Sequence, residues 1–181
     1  MEDTEHEPDP SGLLMDLKYQ GLYVVEPHVL SYTRLVRLDV SFNLLEALPE
    51  DISLLINLEE LLCASNKIAS LPEGIGSMRS LKLIKANNNM LVSLPRSIGQ
   101  LQSLQQLILS DNILTSLPDE IGDCPLESLL LENNALSRLP LSLALLKGRL
   151  HNLDVSRNDK QLETTFSSQI HQDAQSILWI L

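Results

Sequence analysis

One spacing constrains this chain more than any other feature: leucine recurs about every 23 residues with a fixed set of companions. Aligned on Leu35, Leu58, Leu81, Leu104, Leu126 and Leu150, successive units are 23, 23, 23, 22 and 24 residues long. Each follows L-x-x-L-x-L-x-x-N-x-L-x-x-L-P-x-x-I-x-x-L, with other apolar residues such as Val40, Cys63 and Ile84 at some leucine positions. The asparagines are Asn43, Asn66, Asn89, Asn112, Asn134 and Asn158; the prolines are Pro49, Pro72, Pro95, Pro118 and Pro140. The isoleucine position reads Ile52, Ile75, Ile98, Ile121 and then Leu143. Counting 23 residues back from Leu35 finds a worn seventh unit: Gly12, Met15, Leu17, Gln20, Leu22, Val25, Val29 and Tyr32. Gln20 stands there for asparagine and Glu26 for proline. A terminal repeat caps the stack and is expected to depart from its siblings.

A period of this length marks an array of stacked units, none of which can bury its apolar face alone. The L-x-L segment has the period-two alternation of a strand, with its leucines inward and the x residues outward. The asparagine turns the chain and hydrogen-bonds backbone groups left free at the turn, a ladder repeated from unit to unit. The L-P step fixes an extended-to-helical transition. Parallel stacking of seven such strands gives a concave sheet about 30 Å long. The expected fold is therefore an α/β solenoid with a short parallel sheet inside and irregular or short helical turns outside. Leucine supplies 41 of the 181 residues while aromatics supply 3%, so leucine fills the interior.

With those positions in hand, the pattern resembles the leucine-rich repeat, over residues 12–158. The resemblance implies a horseshoe that binds protein partners. The segments LPEGIGSM, LPRSIGQL and LPDEIGDC resemble the intracellular Ras-suppressor and plant Ras-group subclass. That likeness implies a regulatory adaptor for a small GTPase, kinase or phosphatase. A scaffold or accessory subunit of a larger intracellular assembly is the reading we favour, given the small size and the apolar C-terminus.

The ends differ from the repeats. Residues 1–11 read as an acidic, disordered leader, and six acids with no base lie in residues 1–16. Residues 17–181 then carry 18 acids against 13 bases, so much of the net charge of -11 belongs to the leader. Beyond Asn158 the period changes. Phe166, Ile170, Ala174, Ile177 and Leu181 share one helical face, so residues 159–181 are expected to form a C-terminal helical cap over the open strand edge.

Charge and composition narrow the partners. An acidic chain lacks the basic footprint that duplex nucleic acid or an anionic membrane surface requires. No apolar run reaches the length of a membrane span, and the opening residues do not form a secretory signal. Cys63 and Cys124 are too few for a disulfide scaffold and are expected to be small buried hydrophobes. A cytoplasmic protein is expected, as a monomer or a subunit of a hetero-complex.

The outward strand positions form columns across the concave face, and binding is expected there. Leu62, Leu83, Ile108 and Leu130 make an apolar band, with Lys85, Asp154 and Arg157 among its polar rim. Tyr19 and Phe42 occupy one column on adjacent units, close enough to touch. Aromatic and aliphatic anchors amid polar residues are how binding hot spots look. Leu141 and Leu145, on the convex side, and Trp179, off the face of the C-terminal helix, are candidate secondary contacts. No motif for catalysis, a cofactor or a metal stands out. His151, Asp154 and Ser156 cluster on the last strand but occupy ordinary exposed repeat positions with no oxyanion hole. The expected function is non-enzymatic protein binding.

Overall fold

The computed structural model of the chain describes residues 7–159 and Leu162. Seven short strands form one parallel sheet in sequence order. They are β1 (Leu14–Asp16), β2 (Arg37–Asp39), β3 (Glu60–Leu62), β4 (Leu83–Lys85), β5 (Gln106–Ile108), β6 (Ser128–Leu130) and β7 (Asn152–Asp154). The register follows the repeat, so Met15 pairs with Leu38, Leu38 with Leu61 and Leu61 with Ile84. The central residue of each strand points into one continuous core running from Met15 to Leu162. Alternation puts the residues on either side of it on the concave face.

The convex side carries six turns of 3-10 helix: Pro27–Ser31, Glu50–Leu54, Glu73–Ser77, Arg96–Gln100, Asp119–Asp123 and Leu141–Leu146. Proline sits before the last five in an extended conformation, with φ near -67° and ψ near 147° at Pro95. Its carbonyl accepts the amide of the repeat isoleucine, at 3.0 Å for Ile52 and 3.1 Å for Ile98. The first turn lacks that proline, but the Glu26 carbonyl accepts Val29 N–H at 3.0 Å and Pro27 opens the turn. Proline at a first helical position has the φ the turn needs and no N–H to leave unpaired.

Neighbouring convex turns approach so closely that their contact requires glycine. A Cβ on Gly76 would lie 2.6 Å from the Ser97 carbonyl oxygen, and one on Gly99 would lie 2.6 Å from that of Glu120. The I-G step in the sequence is thus a packing requirement between units.

The asparagines form a continuous file through the stack. Asn112 Nδ2 donates to its own repeat's Leu109 carbonyl (2.9 Å) and to the Ala86 carbonyl of the preceding repeat (3.0 Å), while its Oδ1 accepts Leu91 N–H (2.9 Å). Asn43, Asn66, Asn89, Asn134 and Asn158 repeat this arrangement. Each interior carbonyl is shared by two asparagines: Ala86 by Asn89 and Asn112, Leu109 by Asn112 and Asn134. Each asparagine therefore clasps its own unit to the one before.

At the N-terminal end one acid of the leader contacts the first strand. Asp9 is tied to β1: its carboxylate accepts Leu14 N–H (2.9 Å) and Leu13 N–H (3.2 Å), and its own N–H donates to the Leu14 carbonyl (2.8 Å). These bonds occupy edge groups of the first strand, and the Leu14 amide, followed by the Ser11 hydroxyl, holds the Asp9 carboxyl below its ordinary pKa of 3.8. The rest of the leader, residues 1–6, lies outside the described residues. So does most of the expected C-terminal cap, with Phe166 and Trp179. Leu162 is described, and it is buried in the core.

Candidate functional site

The concave columns are built as the repeat predicts, but they are not uniformly open. Along the column after the central strand residue, Asp16 and Lys85 are exposed, Ile108, Leu130 and Asp154 are half-buried, and Asp39 and Leu62 are buried. Leu62, expected in the exposed band, is only 6% accessible. It stands in register between Asp39 and Lys85, and strands about 4.8 Å apart let flanking side chains cover it. The apolar band thus narrows to Leu83, Ile108 and Leu130. Asp39 is a buried anion held by Arg37 (3.6 Å) and Lys18 (3.7 Å), and it accepts Ser41 N–H (3.1 Å). Arg37 continues this network to Glu60 at 3.0 Å.

The column just before the asparagine has a property the sequence reading missed. Tyr19, Phe42, Ser65, Asn88, Asp111, Asn133 and Arg157 all adopt left-handed backbone, with φ between 54° and 59°. Asparagine and aspartate tolerate that region; other side chains pay about 1–2 kcal/mol. The column is also paired off. Tyr19 and Phe42 stack at 4.6 Å with 12° between the ring planes. Asn88 donates to the Ser65 hydroxyl (3.1 Å), Asn133 donates to Asp111 (2.8 Å), and Arg157 meets Glu132 (3.3 Å). The stacked rings remain 71% and 45% accessible. They are therefore held at a conformational cost without closing a core.

Other exposed apolar side chains extend the surface. Leu14 lies in the same concave column as Leu83, on β1. Met90, Val92 and Ile113 are exposed on the turns that follow the asparagines of two adjacent units. The signal for Met90 and Ile113 was the column after the asparagine, which reads Gly21, Leu44, Lys67, Met90, Ile113, Ala135 and Asp159. On the convex side Leu141 and Leu145 are exposed, as are Leu54 and Ile56. Leu141 also lines a flank groove of about 890 Å³ with Arg96, Ser116, Asp119, Glu120 and Arg138.

The features that resembled chemistry resolve differently. The Ser156 hydroxyl donates to Asp154 (2.7 Å), and so does its backbone amide (2.9 Å), closing a local turn. No bond joins either side chain to His151 among the described residues. Cys63 and Cys124 are buried, and burial pushes both thiols up to about 12. The Cys124 thiol donates to the Ile98 carbonyl at 3.1 Å. Among the described residues no three side chains are placed to hold a metal ion, and no helix is long and apolar enough to cross a membrane.

With this geometry established, comparison with known proteins is direct. The family model for Leucine Rich Repeat matches residues 103–124. No curated protein sequence matches the chain. Among solved structures, the chain is similar to a leucine-rich-repeat protein of Leptospira interrogans, at 30% identity and a TM-score of 0.65, covering 80% of this chain and 49% of that one. It is similar to YopM of Yersinia enterocolitica at 31% identity and a TM-score of 0.62, covering 80% and 29%. It is also similar to the plant peptide hormone receptor RGFR1, solved in complex with RGF2, at 30% identity and a TM-score of 0.62, covering 72% and 22%. The chain spans about half or less of the length of each of these structures. Its fold is a leucine-rich-repeat horseshoe, and that fold commonly mediates protein–protein interaction.

Proposed function

We propose that this chain is a non-enzymatic interaction module whose concave face and rim dock a protein or peptide segment. The observation that carries this reading is the Tyr19–Phe42 stack. Two large rings are placed on left-handed backbone, exposed, where asparagine would fold better. Leu83, Ile108 and Leu130 add an apolar patch further along the sheet, with Lys85, Asp154 and Arg157 around it. Burial of such anchors is what supplies binding energy at protein interfaces. The stacked core gives a rigid surface, so little ordering entropy is lost on docking. That a similar structure is a peptide hormone receptor in complex with its ligand is consistent with an extended segment as the occupant.

Between the two settings for such a module, we favour an accessory subunit of a larger intracellular complex. Exposed apolar side chains lie on three sides: the concave rim, the Met90–Val92–Ile113 flank, and the convex positions Leu54, Ile56, Leu141 and Leu145. An adaptor using one face has less need of the others. The test is stoichiometric co-purification of the full chain, with Phe42→Asn and with Leu83→Glu plus Ile108→Glu. Asparagine suits the backbone at position 42, so the fold should persist while the bound set is lost. An unchanged bound set for both variants at unchanged melting midpoint refutes the concave assignment.

A further inference from the structure

We infer that the segment received by the concave face presents an acidic side chain, Asp or Glu, flanked by aliphatic residues, seated with its carboxylate on Lys85. This rests on the concave-face reading above and specifies its ligand. Four bases on and beside the concave strands are paired with acids. Lys18 meets Asp16 at 3.1 Å, Arg37 meets Glu60 at 3.0 Å, Lys82 meets Glu59 at 2.7 Å and Arg157 meets Glu132 at 3.3 Å. Lys85 has no ion pair among the described residues. It is exposed, in register between Leu62 and Ile108, and two residues along the same face from Leu83. The nearest acid by register, Glu60, sits opposite Leu83 and is engaged by Arg37.

An unpaired ammonium at the edge of the apolar band, beside Leu83 and Ile108, sets conditions on whatever covers the band. Aliphatic groups gain by burying Leu83, Ile108 and Leu130. The same burial strips water from Lys85, which opposes docking unless an anion arrives with the ligand. The ligand must therefore bring one negative charge at that point and apolar groups beside it. A phosphate is the poorer match. Its recognition favours clustered or forked arginine donors, whereas here a single ammonium stands beside Leu83 and Ile108, with Glu60 on the adjacent strand and Asp39 one strand further on.

The test is selection of a random peptide library, displayed on phage, against the full chain and against Lys85→Glu. Individual selected peptides are then measured by fluorescence polarisation, with Leu83→Glu plus Ile108→Glu as a second variant. Position 85 is exposed, so the charge reversal should leave the melting midpoint in place. The expected result is enrichment of Asp or Glu between aliphatic residues, about tenfold or greater loss of affinity on Lys85→Glu, and replacement of the acid by Lys or Arg in the selection on that variant. Peptides that lose binding on Leu83→Glu plus Ile108→Glu but carry no acid and ignore position 85 overturn this inference and leave the concave face standing. No enrichment, or peptides indifferent to both variants, overturns the concave-face reading and this inference with it.

Discussion

Removing one asparagine from the file should cost far more than removing an ordinary surface asparagine, and the structure says by how much. In Asn112→Ala the amide of Leu91 loses its partner outright, and the carbonyls of Ala86 and Leu109 each lose one of two donors. An orphaned buried amide costs about 1–3 kcal/mol, and each lost bond to a still-paired carbonyl about 1 kcal/mol, for a total of about 3–5 kcal/mol. Asn57→Ala is the control: its one bond, to the Thr33 carbonyl at 2.8 Å, is exposed, so the loss should stay under about 1 kcal/mol. Urea denaturation followed by far-ultraviolet circular dichroism measures both. A double-variant cycle sharpens the test. Asn89 and Asn112 share the Ala86 carbonyl, so removing both orphans it and should cost about 1–3 kcal/mol more than the sum of the singles. Asn66 and Asn112 share no carbonyl and should be additive. The doubles are measured in trimethylamine oxide to retain the fold. Equal losses for Asn112→Ala and Asn57→Ala, or additivity in the Asn89–Asn112 cycle, refute the shared-carbonyl account.

Two further outcomes follow from the geometry. Arg157 sits at φ 54° and makes only an exposed ion pair with Glu132, so Arg157→Asn should stabilise by about 1 kcal/mol and raise the melting midpoint by about 2–4 °C; a fall in the midpoint contradicts the strain argument. The Asp9 carboxyl, held below 3.8 by the Leu14 amide, contributes its clasp on β1 fully above the unfolded value of about 3.9 and loses it as pH falls through the lower folded value. The Leu14 amide resonance should therefore titrate with a midpoint below 3.8, and a midpoint at or above that value shows the clasp is absent.

The period of the leucines was enough to place all seven strands, their register and the asparagine file. These depend on residues that recur, and recurrence survives a single sequence. The contact between Tyr19 and Phe42 was legible for the same reason: one column, adjacent units. Exposure within a column was not. Leu62 and Leu83 look alike as outward positions, yet Leu62 is covered and Leu83 is half-open, because coverage depends on flanking side chains that do not repeat. The left-handed backbone before the asparagine was also missed. Its usual markers, glycine and asparagine, are diluted here by tyrosine, phenylalanine, serine and arginine. Asp9 was hidden by its company, since five acids in the first ten residues read as solvated charge.

The file of shared carbonyls also bears on heredity. Every interior junction uses the same atoms: a side-chain amide of one unit and two backbone groups of the unit before. An in-frame loss or duplication of one interior unit by unequal exchange would bring together neighbours that already carry matching halves of the clasp. The core would close without compensating change. The concave face would not be preserved so neutrally, because Lys85, Ile108 and Leu130 stand on successive units and would be moved apart or lost. A chain built this way can change length and framework cheaply while each such change rewrites what it recognises.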